Sequence, residues 1–196
     1  NNLVYEYNVS LLGDYDMDGD ISITDLNTFI LGWNTGDLSI EIGPTNGNVP
    51  NLKPVLDSNF DTRDMMAFTR MWHWNTNKLS KHQTKMIAEQ GVALNAAIEP
   101  DHIVFNPPKG TQAIELILDY PASDIQFNIA QENGMGDEGL ALSNLDTLNG
   151  RLIYQVGYFE ENNQPISIST KHLQKNDIAV NLTYQFIGKD NVILSA

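Results

Sequence analysis

Residues 14–25 read Asp-Tyr-Asp-Met-Asp-Gly-Asp-Ile-Ser-Ile-Thr-Asp, and this acidic stretch decides how the first part of the chain folds. Its oxygen-bearing side chains have the spacing of a twelve-residue calcium loop, with ligands at positions 1, 3, 5, 9 and 12 and glycine at position 6. The residues at the ligand positions are Asp14, Asp16, Asp18, Ser22 and Asp25, with Gly19 at the turn and Asp20 offering its backbone carbonyl. The pattern predicts a Ca²⁺ site, and the alternative is a solvated acidic loop or an Asx-rich turn.

The segments on the two sides of this loop differ in predicted conformation. Residues 3–13 are rich in aromatic and β-branched residues and end in glycine, which predicts extended chain. Downstream, apolar residues are spaced i, i+3, i+4 and i+7, the stripe of an amphipathic helix; they are Leu26, Phe29, Ile30 and Trp33. A calcium loop followed by a single helix, with Asp at position 12, resembles the half-repeat of a type I dockerin.

A second copy of this pattern follows, as a dockerin requires. Residues 64–72 repeat residues 25–33, with Asp, a large apolar residue, Phe and Trp in the same register. An internal repeat of this kind is a strong architectural signal. The residues matching later ligand positions are Asp57, Asn59, Asp61 and Asp64, so the resemblance covers about residues 10–75. The expected core between the two helices consists of Leu26, Phe29, Trp33, Met65, Phe68 and Trp72.

The second loop departs from the dockerin pattern. By spacing, Lys53 and Val55 fall at its positions 1 and 3, and neither side chain binds calcium. A long Gly/Pro/Asn-rich connection, residues 42–51, precedes it. The missing ligands are expected from backbone carbonyls, from water, or from side chains such as Glu41, Asn46 or Asn48. Two interpretations stay open: a second calcium site, or a loop that has lost its ion and keeps its helix for packing.

The dockerin resemblance also implies a protein partner, because dockerins bind cohesins. In that family the residues just before loop position 12 help to select the cohesin. The matching residues here are Ile23 and Thr24 in the first loop and Thr62 and Arg63 in the second. Because the two pairs differ, docking in two equivalent orientations is expected to be imperfect.

The rest of the chain has a different pattern. Residues 75–77 predict a polar break, and residues 76–97 predict a linker or a short helix. From residue 98 onwards, many short strands with no helical pattern between them predict an antiparallel β-sandwich, Ig-like or jelly-roll. This half resembles cohesins and related surface-protein sandwiches through residues 118–121, 149–154 and 178–186.

The predicted fold class is therefore α+β with two domains. Residues 1–75 form a small helical, dockerin-like and EF-hand-like domain, and residues 98–196 form the sandwich. A formal net charge of −14 argues against nucleic acid as a partner. No apolar run reaches the ~18 residues of a membrane span. The absence of cysteine excludes disulfides and thiolate metal sites. A calcium loop of this kind is most useful outside the cell, so the sequence predicts a secreted or cell-surface protein.

The sequence favours a non-catalytic function, because it contains no nucleophile elbow, zinc-binding motif or phosphate-binding glycine loop. The leading prediction is protein–protein docking in a secreted or cell-surface complex, onto a cohesin-like sandwich in another chain or in the same chain. One alternative is a self-assembling subunit of a surface layer, fibre or adhesin, which a buried interface between the halves would favour. Another is carbohydrate binding through exposed aromatics, unless these pack in the core: Tyr154, Tyr158, Phe159 and Tyr184.

Overall fold

The computed structural model describes most of the chain: residues 11–79, 94–99, 101–129, 134–162, 164–172, 179–188 and 193–195. Within these ranges there are two α-helices, one short 3₁₀ helix and strands arranged in three sheets. No helix of this part of the chain is long and apolar enough to cross a membrane. Residues 3–10 of the predicted extended segment lie outside the described residues.

The first helix, α1, spans Ile23–Thr35 and confirms the helix predicted after the acidic loop. Ser22 is its N-cap: the hydroxyl accepts a hydrogen bond from the amide of Thr24 at 3.1 Å, while the carboxylate of Asp25 accepts from the amide of Ser22 at 2.8 Å. This reciprocal pair satisfies backbone donors that a helix start leaves free. The helix ends at Gly36, whose φ of 65° suits glycine, and a 3₁₀ helix, Leu38–Ile40, follows.

The second helix, α2, spans Thr62–Leu79. It continues through residues 75–77, so the polar break predicted there was wrong. The reason is that these polar side chains have partners: Thr76 Oγ1 donates to the carbonyl of Trp72 at 3.0 Å, and Asn75 donates to Asp20. Both Asn75 and Thr76 are buried. Residues 80–93, most of the predicted linker or short helix, lie outside the described residues.

The strands pair antiparallel and form three sheets. A two-stranded ribbon joins β1 (Thr45–Asn46) and β2 (Lys53–Pro54). The four-stranded sheet has the order β3 (Asn95–Ile98), β4 (His102–Asn106), β10 (Ile166–His172), β6 (Ile125–Phe127). The six-stranded sheet has the order β12 (Ile193–Ser195), β11 (Asn181–Gly188), β5 (Thr111–Asp119), β9 (Arg151–Asn162), β8 (Gly139–Asp146), β7 (Gly134–Met135).

The four-stranded and six-stranded sheets share one apolar core, which confirms the predicted β-sandwich. Alternate residues of β9 point into it: Leu152, Tyr154, Val156 and Tyr158. They pack with residues of the opposite sheet such as Phe105 of β4 and Ile168 of β10. Because successive strand residues point to opposite faces, the intervening residues of β9 lie on the outer face of the six-stranded sheet.

That outer face is covered by the helical half, which we define as residues 11–79. A second apolar cluster joins α1 and α2 to β8 and β9 of the sheet. Its fully buried members include Leu26, Phe29, Phe68 and Trp72, and Trp33 and Met65 pack at its margin, which confirms the predicted helix–helix core. The sheet contributes Leu140, Leu142 and Ile153.

The helical half comes close to the backbone of the sheet at Gly157 of β9. A Cβ added there would lie 2.8 Å from Ile30 Cγ1 and 3.2 Å from Leu26 Cγ. Glycine at this position therefore lets α1 lie directly on the strand. The described chain thus has three layers: helices, the six-stranded sheet and the four-stranded sheet.

Candidate metal centre

The first acidic loop is closed by hydrogen bonds from its backbone to its own carboxylates. The amide of Gly19 donates to Asp14 Oδ2 at 3.0 Å, and the amide of Asp20 donates to Asp18 Oδ1 at 2.9 Å. Gly19 has a φ of 93°, in the left-handed region that favours glycine. The loop therefore makes the turn that the sequence predicts at position 6.

Three aspartates of this loop converge. One carboxylate oxygen from each of Asp14, Asp16 and Asp18 lies within 4.8 Å of the other two. Asp14 is only 6% exposed, and its Oδ1 is buried without a hydrogen-bond partner. A buried carboxylate oxygen without a donor is costly unless a cation takes the donor's place. Because calcium prefers clustered carboxylate oxygens, the residues present fit Ca²⁺.

Burial, with a smaller effect of neighbouring negative charges, raises the pKa of two carboxyl groups in this loop, Asp16 and Asp25. Burial raises the pKa of Asp16, and the charges of Asp18 and Asp14 raise it further, against the amide of Asp18, which lowers it. Asp25 is fully buried, and burial raises its pKa to about 6, while the amides of Ser22 and Tyr15 oppose the shift. The folded loop therefore disfavours the ionised forms of Asp16 and Asp25, a cost that a divalent cation would relieve.

The other predicted ligands of the first loop connect it to the two helices. Asp25 accepts from the amide of Tyr15 at 2.6 Å through Oδ1 and from the amide of Ser22 at 2.8 Å through Oδ2. The carboxylate of Asp20 accepts from Asn75 Nδ2 on α2 through Oδ1. Ser22 begins α1. The conformation of the loop is thus coupled to both helices.

The second loop repeats these contacts, but its first carboxylate comes from a residue that spacing misplaced. Glu41 Oε1 accepts from the amide of Ser58 at 3.0 Å, as Asp14 Oδ2 accepts from the amide of Gly19. Ser58 has a φ of 60°, so it makes the turn of position 6 without being glycine. Glu41 is therefore the position-1 carboxylate, and the alignment of Lys53 with that position was wrong.

An insertion explains the misplacement. The chain leaves the loop after Gly43, forms the β1–β2 ribbon that contains Lys53, and returns at Val55. The amide of Val55 donates to the carbonyl of Pro44 at 2.7 Å, which closes the base of the insertion. Lys53 and Val55 are both exposed. The signal for Glu41 in the sequence was a leucine three residues earlier, since Leu38 precedes Glu41 as Leu11 precedes Asp14. In the structure the amide of Glu41 donates to Leu38 O, as the amide of Asp14 donates to Leu11 O.

Asp64 closes the second loop as Asp25 closes the first. Asp64 is fully buried, and its Oδ1 accepts from the amides of Ile42 at 2.9 Å and Gly43 at 2.7 Å. Its Oδ2 accepts from the amide of Asp61 at 2.8 Å, the counterpart of the bond from Ser22 to Asp25. Both oxygens of Asp64 are therefore satisfied by the backbone.

Two of the remaining predicted ligands of the second loop, Asp57 and Asp61, contact Arg63. Its Nη1 lies 2.7 Å from Asp57 Oδ2, and its Nη2 lies 2.7 Å from Asp61 Oδ2. Asn59 Nδ2 donates to the same Asp61 oxygen at 2.9 Å. The guanidinium holds the pKa of Asp61 below its usual range. The structure therefore places Arg63, predicted to help select a partner, against the acidic side chains of its own loop.

The other predicted partner-binding residues lie in two different parts of the molecule. Ile23 is buried and packs with Ala113 of β5 and Ile187 of β11. Thr24 is partly buried and borders a groove that Ile187 also lines. Thr62 is exposed at the start of α2. The first pair therefore lies beside the six-stranded sheet of its own chain.

Polar side chains also cross the interface between the helical half and the sheet. Trp72 Nε1 donates to Gln155 Oε1 at 2.8 Å, and Gln155 Nε2 donates to Glu115. Nearby, Asn144 Nδ2 donates to Thr76 Oγ1 at 2.7 Å. Sequence reasoning missed this network because its members are far apart in the chain. The network fixes how α2 lies on β8 and β9.

A cavity of about 90 Å³ adjoins this network, between the first loop and the sheet. Glu115 lines it with Asp20 and Arg151. Burial raises the pKa of Glu115, and the charge of Asp20 raises it further, whereas the bond from Gln155 lowers it. A raised carboxyl pKa means that the ionised form costs stability in the folded protein.

Glu115→Gln is expected to stabilise the protein at pH 7 by about 1 kcal/mol, a rise in Tm of roughly 2–4 °C, because it removes a poorly solvated charge. Since the folded pKa lies above an unfolded value of about 4.3, ionisation costs stability as the pH rises through both values. The gain should therefore vanish below about pH 4. Thermal unfolding in chelator from pH 3.5 to 8 tests this, with the exposed Glu160→Gln as control. A gain that is the same at every pH would contradict the explanation.

The aromatic residues considered for carbohydrate binding do not form an exposed row. Tyr154, Tyr158 and Tyr184 are buried in the core of the sandwich. Phe159 is partly buried and packs against the second apolar cluster. The core-packing interpretation of these residues is therefore confirmed, and the carbohydrate alternative loses the surface on which it was based.

Comparisons with known proteins give structural neighbours only. No protein-family model matches the sequence, and no curated protein matches it. A cohesin module from a family 33 glycoside hydrolase of Clostridium perfringens is similar, with 13% identity and a TM-score of 0.40 over 52% of this chain and 88% of that one. A mutant type II cohesin–X-dockerin complex from Acetivibrio cellulolyticus matches with 10% identity and a TM-score of 0.38, over 53% and 89% of the respective chains. A type II cohesin dyad from an adaptor scaffoldin of the same organism matches with 10% identity and a TM-score of 0.30, over 46% and 34%.

Proposed function

We propose that this chain is a non-catalytic, calcium-binding structural module of a secreted or cell-surface assembly, with its helical half docked on its own β-sandwich. The observation that carries the calcium part is Asp14. Its Oδ1 is buried without a donor, and its carboxylate lies beside those of Asp16 and Asp18. Among the buried side-chain oxygens of the described residues, this is the carboxylate oxygen left without a partner.

Residues of this loop also contact both helices, so closure of the loop helps to fix where the helices lie. Ser22 and Asp25 begin α1, while the side chain of Asp20 holds Asn75 of α2. Bound calcium would supply positive charge. The free energy of metal binding would then contribute to the free energy of folding. We therefore expect the first loop, the two helices and their apolar core to become ordered together.

The second part of the proposal concerns the partner of the helical half. The apolar cluster of α1 and α2 includes Leu140, Leu142 and Ile153 of the six-stranded sheet. Ile23, which the dockerin resemblance assigns to partner selection, contacts Ala113 and Ile187 of the same sheet. These contacts favour a sandwich in the same chain as the partner. The module would then act as one rigid unit of an assembly, and other chains would contact its remaining surfaces.

A calcium titration of the chelator-treated chain tests this function. All three tryptophans, Trp33, Trp72 and Trp74, lie in the helical half, so their fluorescence reports on that half alone. We expect saturable binding in calorimetry, a blue shift of tryptophan emission as Trp72 is buried, and an unchanged monomer in size-exclusion chromatography. Absence of binding would overturn the calcium part. A calcium-dependent increase in size would favour docking onto a separate chain.

A further inference from the structure

The second loop contains a cation that is part of the chain. Arg63 binds two of its carboxylates, with Nη1 2.7 Å from Asp57 Oδ2 and Nη2 2.7 Å from Asp61 Oδ2. Its Nε also donates to Asp61 Oδ1 at 3.0 Å. The planar guanidinium remains charged at any physiological pH, and its fixed donors match the geometry of carboxylates. It bridges loop positions 5 and 9, where oxygen ligands would otherwise contact a metal.

The equivalent residue of the first loop cannot play this part. The amides of Ser22 and Asp61 donate to Asp25 and Asp64 in the same way, so the two loops align at these residues. Arg63 follows Asp61 by two residues. The residue at the same place in the first loop, two residues after Ser22, is the neutral Thr24. One loop therefore carries its own positive charge, and the other does not.

The buried carboxylates of the second loop are also satisfied without an ion. Glu41 Oε1 accepts from the amides of Asp57 at 2.6 Å and Ser58 at 3.0 Å. Asp64 accepts three backbone hydrogen bonds. Within the described part of the chain, Asp14 Oδ1 of the first loop is the buried carboxylate oxygen without a partner, and the second loop has no counterpart of it. The second loop therefore lacks the buried, unpartnered carboxylate oxygen that indicates a metal in the first loop.

We infer that Arg63 is the built-in cation of the second loop, so that this loop closes without metal and the chain takes up one calcium ion rather than two. The inference rests on the proposed function for the number of ions, since the first loop must bind calcium. Removal of the guanidinium would leave the carboxylates of Asp57 and Asp61 without their shared cation, and the amide of Asp57 is bound by the carboxylate of Glu41. That arrangement offers the carboxylate oxygens that calcium prefers.

Arg63→Gln tests the inference, with Arg70→Gln as the matched control because Arg70 is exposed on the same helix. In chelator, Arg63→Gln should lower the Tm of the tryptophan transition by about 2–4 °C relative to the control. Calorimetry and native mass spectrometry should count one ion in the unmodified chain and in Arg70→Gln, and two in Arg63→Gln. Adding Asp57→Asn to Arg63→Gln should remove the second ion.

The outcomes separate this inference from the proposed function. Two ions in the unmodified chain would overturn the role of Arg63, even if calcium stabilises the protein as proposed. No ion in the unmodified chain would overturn the calcium proposal, and the Tm in chelator would still test the role of Arg63. Equal Tm values for Arg63→Gln and Arg70→Gln in chelator, together with an unchanged ion count, would also overturn the inference.

Discussion

Asp14→Asn should abolish most of the stabilisation by calcium while leaving the calcium-free protein as stable as the unmodified chain, or slightly more stable. The substitution keeps the shape of the side chain, and the amide oxygen can still accept from Gly19. It removes the negative charge of Asp14, a residue that is 6% exposed and lies beside Asp16 and Asp18. Without calcium this charge is a cost, and with calcium it is a ligand, so the substitution should act in opposite directions in the two states.

The expected size follows from mass action. Calcium at a hundred times its Kd stabilises the folded chain by about 2.7 kcal/mol. In a chain of 196 residues this corresponds to a rise in Tm of roughly 5–10 °C. Asp14→Asn should lose most of that rise. The measurement is thermal unfolding, followed by tryptophan fluorescence, in chelator and in excess calcium.

Asp137→Asn is the control for this experiment, because it makes the same chemical change at an exposed position of the sandwich. It should keep the full calcium response. The decisive comparison is the calcium-free state. If Asp14→Asn lowers the Tm equally with and without calcium, then the carboxylate of Asp14 stabilises the loop in the absence of an ion and is not a ligand.

The first loop could be predicted because its ligands are contiguous in the sequence. Five side-chain oxygens and one glycine within residues 14–25 have to form the loop locally, and α1 follows from the spacing of its apolar residues. The second loop could not be aligned by the same spacing, because its position-1 residue, Glu41, is separated from Asp57 by an inserted ribbon. Spacing in the chain identifies a loop only when nothing is inserted into it.

The break predicted at residues 75–77 failed for a related reason. Asn75 and Thr76 read as a polar surface, but both are buried and hydrogen-bonded to partners in the first loop and on the helix. Buried polar groups depend on partners that are distant in sequence. Local composition cannot distinguish such groups from solvated ones.

The sequence of β9 contains a pattern that is consistent with helices packed on the outer face of the sheet. Residues 152–158 are apolar at almost every position, rather than at alternate positions. Strands that are buried on both faces read as nearly continuous apolar runs. In β9, Tyr154 and Val156 fill the sandwich, while Ile153 contacts the helices. This apolar run indicates that the outer face of β9 is covered, but only the structure shows that the helical half covers it.

Gly157→Val should displace the helical half from the sheet. An added Cβ at this residue would lie 2.8 Å from Ile30 Cγ1 and 3.2 Å from Leu26 Cγ, and the two methyl groups of valine would add to the overlap. Overpacking of this kind costs about 1–3 kcal/mol. Valine itself suits a β-strand, so the sandwich should tolerate the change. The loss should therefore fall on the interface between α1 and β9.

The expected result is a fall of roughly 3–10 °C in the Tm reported by tryptophan fluorescence, with a smaller fall for Gly157→Ala. Gly136→Val is the control, because Gly136 is exposed and a Cβ there meets no atom within 4 Å. A detached helical half would also uncover Leu140, Leu142 and Ile153, so association at high concentration should increase. If Gly157→Val unfolds like the control, α1 does not lie on β9.

A second substitution at Ile30 shows whether the effect comes from this contact. Ile30→Ala alone removes a buried side chain and should cost about 2–5 kcal/mol. In the double variant, the space left at Ile30 accommodates the methyl groups of Val at position 157. The combined loss should therefore be smaller than the sum of the single losses, by about 1–2 kcal/mol. Additive losses would mean that the two residues act independently, which would contradict a direct contact between Ile30 of α1 and Gly157 of β9.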